Sequence, residues 1–217
     1  MIDLNVDLGE GGANDAELIR LATSVNIACG GHAGDLETMR RTVELAQGKK
    51  IGAHPGYEDR ENFGRHPLEL SPEEISKLVA QQIKALRQFT EIHHVKPHGA
   101  LYNQAQTDPA IAQAIIEGAS NVLPQTIIFT LPDGELSKAA CISGHQVWGE
   151  GFIDRGYQSN GQLIPRGQPG DLITDSAEAL AQAKQLSERN DIQTLCVHGD
   201  LAEALEFLQM VRAGRAF

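Results

Sequence analysis

Little in this chain marks a membrane, secreted or nucleic-acid-binding protein. No apolar run among its 217 residues approaches the ~18 that would mark a membrane helix. The opening MIDLNVDLGEGG has neither the basic n-region nor the apolar h-region of a secretory leader. Cysteine is scarce. Cys29, Cys141 and Cys196 are odd in number and scattered, with no CxxC pair, which argues against a disulfide framework or zinc knuckle and fits reduced thiols in a cytoplasm. Cations are outnumbered, with 18 Lys and Arg against 29 Asp and Glu and a formal net charge of -11. That balance is a poor match for nucleic acid or an anionic membrane surface, and neither is expected as a partner. Three motifs are also missing: no GxxxxGK[ST] loop, no GxGxxG after a strand and no HExxH. Any nucleotide or metal would bind without those signatures.

What is present is a recurrence. Six of the eight histidines lie where a short apolar run ends in glycine, in the segments SVNIACGGH, KIGAHPG, HHVKPHGALYN and TLCVHGD. A fifth segment, IDLNVDLGEG, has the same shape but ends in carboxylates. Short Val/Ile/Ala-rich runs read as buried parallel strands, whose C-terminal ends carry the polar groups of a site. Helical patterns alternate with them. The clearest, residues 71–90, opens with Ser71, Pro72 and Glu74 as a capping box and carries Ile75, Leu78, Val79, Ile83 and Leu86 on one face. Asn14 and Asp200 stand where they can cap the first and last helices. Seven β-then-α units in one domain of 217 residues predict a TIM-like (β/α) barrel, too short for eight strands and so seven-stranded, in preference to an open doubly wound sheet. Two long loops, 55–70 and 155–172, are candidate binding loops.

The strand ends carry the chemistry. Asp7 and Glu10, three residues apart beside glycines, can hold a divalent cation or act as bases, although carboxylates in tight turns often only satisfy backbone donors. His32, His54, His98 and His198 suit a metal or a proton transfer; His93, His94 and His145 read as structural. Asp7, Glu10, His32 and His54 form the candidate metal set. Lys96 lies inside an apolar strand, where an ammonium needs a partner such as Asp7 or Glu150 or an anionic ligand. Glu150 and Asp154 alternate along one strand, which places Glu150 deeper in the barrel. Cys29 and Cys196 fall within strands and are assigned to the core, with Cys29 near His32 a lesser candidate nucleophile.

Taken in order, DLNVDLGEG, SVNIACGGHAG, IGAHPGY, FGR, VKPHGALYN, the block E-F-DR-Y-G-L-PR over 149–166 and CVHGD resemble the LamB/YcsF family, covering 2–103 almost continuously and then 149–166 and 195–200. Gly31 stands where that family usually has an aromatic residue, and His66 where it has a second arginine. The resemblance implies a barrel of the glycoside hydrolase/deacetylase superfamily type. It also implies the A subunit of an ATP-dependent 5-oxoprolinase, opening 5-oxo-L-proline to L-glutamate with Mg²⁺ and with B and C subunits of allophanate-hydrolase-like or carboxyltransferase-like kind. Asp7, Lys96, His98, Glu150, His198 and Asp200 become the expected catalytic group. Glu10, Asn26, His32, His54, Arg65, Asn103, Asp154, Arg155, Tyr157 and Arg166 become the expected substrate- and phosphate-binding group. Lys96, Arg65 and Arg155 are the cations expected to meet the triphosphate, and His198 paired with Asp200, or else His98, is the expected base. A metal-dependent deacetylase-like hydrolase and a lactam- or carbohydrate-binding subunit are the alternatives on the same barrel.

Overall fold

The first strand shows how the barrel is built. In β1 (Asp3–Leu8) every residue is buried, but on two different sides. Successive strand side chains point to opposite faces. Leu4, Val6 and Leu8 join the hydrophobic core beneath the helices, while Asp3, Asn5 and Asp7 bond to polar side chains across the barrel axis. The computed structural model describes residues 2–214. It contains β2 (Ser24–Ala28), β3 (Lys50–His54), β4 (His94–Val95), β5 (Ile127–Thr130), β6 (Gln146–Phe152) and β7 (Thr194–His198). The strands pair in parallel in sequence order, and β1 returns to β7 to close the barrel. The expected seven-stranded barrel is therefore the observed fold.

Between the strands run α1 (Asp15–Leu21), α2 (Leu36–Leu45), α3 (Pro72–Arg87), α4 (Gly99–Gln104), α5 (Pro109–Ser120), α6 (Glu135–Ile142), α7 (Ser176–Ser187) and α8 (Ala204–Ala213). Val25, Ile27, Ile51, Val95, Ile128, Leu195 and Val197 form the strand side of one core with Leu18, Met39, Ile75, Ile83, Ile115 and Phe207 from the helices. Gly118 lets α5 lie directly on α3, since a Cβ there would come within 2.5 Å of the Ser76 carbonyl. None of the described helices is long and apolar enough to cross a membrane.

The capping box of α3 forms as its sequence predicts, with Ser71 accepting from the Glu74 amide and Glu74 accepting from the Ser71 amide. Ser71→Ala is expected to lower stability by about 1 kcal/mol, or roughly 2–4 °C in a thermal melt of a protein this size. An unchanged melt would show that the cap contributes nothing. Two other predicted caps do not form. Asn14 precedes α1 without a side-chain cap, and the Asp15 carboxylate beside it accepts from the Gly9 amide. Asp200 does not cap α8, which starts later, after Glu203.

Candidate functional site

The barrel axis is filled by a polar ladder, and this ladder positions the site. At its base Asp3 accepts from Ser24 and Thr194, each at 2.8 Å. One level up, Asn5 donates to Thr194 and accepts from Asn26 at 2.7 Å, and His94 bonds to the Asn26 side-chain oxygen at 2.7 Å. Asn26 also donates to Asp7 at 2.8 Å. His94, set aside as structural in the sequence, is thus part of the floor, its ring stacked on Phe129. His145 is structural, held by Ser120 and the Thr126 amide.

Above the ladder lies Lys96, only 2% exposed. Its ammonium meets Asp7 Oδ1 at 2.8 Å, Glu150 Oε1 at 2.9 Å and Cys196 Sγ at 3.0 Å. Burial opposes its charge, yet Asp7, Cys196 and Glu150 hold its pKa well above that of an ordinary lysine. Burial also opposes the charge on Asp7, but His54, Lys96 and His198 hold that carboxyl well below the usual range. For Glu150 burial dominates and the carboxyl titrates higher than usual. Each of the two buried pairings suggested for Lys96 is present, and both exist at once.

The strand register sets Asp7 of β1 directly beside His198 of β7. His198 Nδ1 lies 2.9 Å from Asp154 Oδ2, which also accepts from the His198 amide at 2.8 Å. Because a carboxylate can only accept, this contact puts the imidazole proton on Nδ1 and leaves Nε2 free, 3.9 Å from Asp7 Oδ2. Asp154 is fully buried; burial opposes its charge, but His198 and its amide hold the carboxyl below the usual value. The partner of His198 is therefore Asp154 and not Asp200. His198 ends β7 and Asp154 lies two residues past the end of the neighbouring β6, whereas Asp200 lies past the turn at Gly199.

A second group forms at the ends of β1, β2, β3 and β4. Glu10, His32, His54 and His98 each aim one donor atom at a common point, all within 4.8 Å of one another. His32 Nε2 is 2.9 Å from Glu10 Oε1, and His54 Nε2 is 2.9 Å from His98 Nδ1. The outer nitrogens face carbonyls: His54 Nδ1 to Lys96 at 2.7 Å, His98 Nε2 to Phe63 at 2.9 Å. Burial pushes His54 down to about 4 and His32 and His98 well below their usual value, while it pushes Glu10 well above the usual carboxylate range. Phe63 and the short helix α4 complete the wall, neither of them predicted. Phe63 has φ 57° and packs edge-on against the rings of His32 and His98. Gly99 has φ 55°, and a Cβ there would lie 2.5 Å from the Gly64 carbonyl. Only glycine admits this close turn behind His98.

A cavity of about 240 Å³ opens over Asp7, Lys96, His54, His98 and His198. Its walls include Asn103 of α4, Phe152, Arg65 from one long loop, and Leu163, Pro165 and Arg166 from the other. Arg155 also reaches this cavity, but its guanidinium is bonded to the Asp171 and Ile164 carbonyls and so staples the 155–172 loop. Arg65 pairs with Asp200 at 2.5 Å, and beyond this pair a second cleft is lined by Glu10, Gly11, Gly12, Asp15 and Asp200.

A model described as the LamB/YcsF family matches residues 2–215. The chain belongs to the LamB/YcsF family. It is 37% identical to the lactam utilization protein from Thermus thermophilus, whose crystal structure superposes with a TM-score of 0.87 over 100% of this chain and 99% of that one. A family 4 carbohydrate esterase from Streptomyces lividans, solved in complex with acetate, is 10% identical with a TM-score of 0.50, covering 99% of this chain and 88% of that one. This likeness concerns the barrel alone.

In this LamB/YcsF barrel the predicted site residues separate by place. Asp7, His54, Arg65, Lys96, His98, Asn103, Arg155, Arg166 and His198 line the main cavity. Glu10 and Asp200 line the adjoining cleft, and His32 stands behind His98, ring upon ring at 3.6 Å. Asn26 lies beneath the cavity in the ladder, Asp154 behind His198, and Glu150 behind Lys96. Tyr157 turns away, its hydroxyl accepting from the Phe152 amide at 2.6 Å. Of the expected metal set, Glu10, His32 and His54 converge and His98 joins them, while Asp7 bonds through Oδ1 to Lys96 and Asn26. Cys29 is buried and burial pushes its thiol up to about 12, which fits the place in the core expected of it. The parts the sequence reading missed are Asn5, His94 and Cys196 on the axis, and Phe63. The alternation Asp3, Asn5, Asp7 in an otherwise apolar strand was the available signal for the polar interior.

Proposed function

We propose that the chain hydrolyses a small cyclic amide, 5-oxo-L-proline, to L-glutamate, as the A subunit of an ATP-dependent 5-oxoprolinase. The single observation behind this reading is a small cavity with a carboxylate-oriented histidine, in a chain 37% identical over its whole length to a lactam utilization protein. At about 240 Å³ the cavity lies below the ~300–1,000 Å³ of drug-sized pockets, which suits a small lactam.

His198 Nε2 takes a proton from a water molecule as that water attacks the ring carbonyl carbon. Asp154 keeps the imidazole in the required tautomer and supports it once charged. Asp7 Oδ2, at 3.9 Å from Nε2, lies close enough for one water to bridge the two groups. Lys96 and Asn26 hold Asp7 ionised and in place. When the ring C–N bond breaks, protonated His198 returns its proton to the departing nitrogen, leaving an amine.

ATP, brought with Mg²⁺, would supply activation by giving its terminal phosphoryl group to the amide carbonyl oxygen with loss of ADP; C–N cleavage would then leave an acyl phosphate, which a second water hydrolyses to the carboxylate and inorganic phosphate. Two of the cations expected to meet its phosphates are already engaged. Lys96 is committed to Asp7 and Glu150, and Arg155 to two backbone carbonyls. Arg65 and Arg166 are the remaining candidates at the cavity. We therefore assign the nucleotide step to the assembled A, B and C subunits. Glutamate release from 5-oxoproline, assayed with and without ATP and with and without B and C, is the test. Activity confined to the complete mixture with ATP supports the reading; ATP-independent release by the chain alone overturns it.

A further inference from the structure

The geometry points to a site for one divalent transition-metal ion, of the zinc class, held by His32, His54, His98 and Glu10. The inference does not depend on what the neighbouring cavity hydrolyses.

It rests first on counting protons. Four groups stand in a row: the Lys96 carbonyl, the His54 ring, the His98 ring and the Phe63 carbonyl, separated by 2.7, 2.9 and 2.9 Å. The two carbonyls at the ends can only accept. Each neutral imidazole carries one N–H, so two protons must serve three contacts. If both protons point outward, to the carbonyls, His54 Nε2 and His98 Nδ1 face each other lone pair to lone pair. If either turns inward, a ring nitrogen faces a carbonyl oxygen with no proton between them. No arrangement of neutral rings satisfies the row.

A cation at the centre satisfies it. Both outer N–H groups then donate to carbonyls, the usual outer-shell arrangement of a metal-ligating histidine, and both inner lone pairs point at the ion. The other two donors already face that point. Glu10 Oε1 lies 3.5 Å from His98 Nδ1, 3.9 Å from His54 Nε2 and 2.9 Å from His32 Nε2. With metal–ligand bonds of about 2.0–2.1 Å, neighbouring donors of a tetrahedral site are about 3.4 Å apart, which is the scale of these separations. A second observation is independent of the row: His32 Nδ1 is buried without any hydrogen-bond partner, so Nε2 is the only nitrogen through which that ring is engaged. Three imidazoles and one carboxylate suit Zn²⁺ and its first-row neighbours, and not Mg²⁺, which takes oxygen ligands.

The site opens toward the reaction cavity through His54 and His98, which line it, and Asp7 Oδ2 is 3.5 Å from His54 Nε2.

Untagged protein, dialysed against metal-free buffer after loading with Zn²⁺, tests the site by elemental analysis, with affinity measured against a chromophoric chelator. About one equivalent per chain is expected. Cobalt substitution should give visible absorption whose position shifts in the ligand variants. His98→Ala and Glu10→Gln should each weaken Zn²⁺ at least ~100-fold, beyond what loss of an outer-shell partner does. His198→Asn, which lies outside the donor set, should keep the full equivalent. Circular dichroism distinguishes a lost ligand from a lost fold, and a variant that unfolds is replaced by His32→Gln at the same readout. Less than a tenth of an equivalent in the folded parent protein, or full retention in folded ligand variants, overturns the proposal. So does nitrogen-15 spectroscopy showing His54 or His98 doubly protonated in the presence of Zn²⁺, because a shared proton then fills the gap. One equivalent of metal with no release of glutamate would leave this site standing and remove the lactam reading alone.

Discussion

Lys96→Met is expected to destabilise the protein by about 3–5 kcal/mol, the range for removing one partner of a buried ion pair. In a protein of this size that is a fall of roughly 6–20 °C in melting temperature. The cause is electrostatic and not volumetric. Methionine fills much of the lysine's space, but Asp7, Glu150 and Cys196 then share a closed interior without the ammonium that lies within 3.0 Å of all three. Glu150 already titrates higher than usual and can take up a proton; Asp7, held ionised by its neighbours, bears the loss. It follows that Asp7→Asn in the Lys96→Met background should cost less than the two single losses added together, by roughly 1–3 kcal/mol of coupling. Strict additivity in urea melts would mean that Lys96 acts elsewhere, and a single variant as stable as the parent would mean that the buried charge is not felt at all.

This balance explains what could be read in advance. The barrel was legible because strands that pack between an axis and a ring of helices must be short and apolar on their outer side, and Val25, Ile27, Ile51, Val95, Leu195 and Val197 say so directly. The capping box at Ser71 was legible because its residues are neighbours in sequence. Partners brought together by closure were not. That Lys96 needed an anion followed from desolvation, yet it has two because β1 and β6 both face the axis at its height. Pairing His198 with Asp200 followed sequence proximity, whereas strand closure puts Asp154 of the neighbouring strand end beside it. Phe63 was hidden for a different reason. A phenylalanine at positive φ is rare outside a constrained turn, and here its carbonyl and ring are both used to hold His98. Neither expected helix cap forms: Asn14 makes no side-chain cap bond, and the Asp200 carboxylate pairs with Arg65 ahead of a helix that starts only after Glu203.

His198→Ala should lower glutamate release by the complete assembly about 10²–10⁴-fold, the usual contribution of a positioned base, with little change in melting temperature. The ring is partly exposed at the cavity and holds no strand in place, so its removal leaves the ladder below intact. Its two candidate supports give opposite expectations. Asp154→Asn should approach the same loss, because an amide can donate to Nδ1 and so favour the tautomer with its proton on Nε2, where it cannot accept from water. Asp200→Asn should leave kcat within a few-fold of the parent, since its carboxylate touches Arg65 and not the histidine. The readout is steady-state glutamate production at saturating 5-oxoproline and ATP for the three variants side by side. Equal losses for Asp154→Asn and Asp200→Asn would show that both serve a shared structural purpose at the rim. A parent-like rate in His198→Ala would show that this imidazole is not the base and would overturn the role assigned to it.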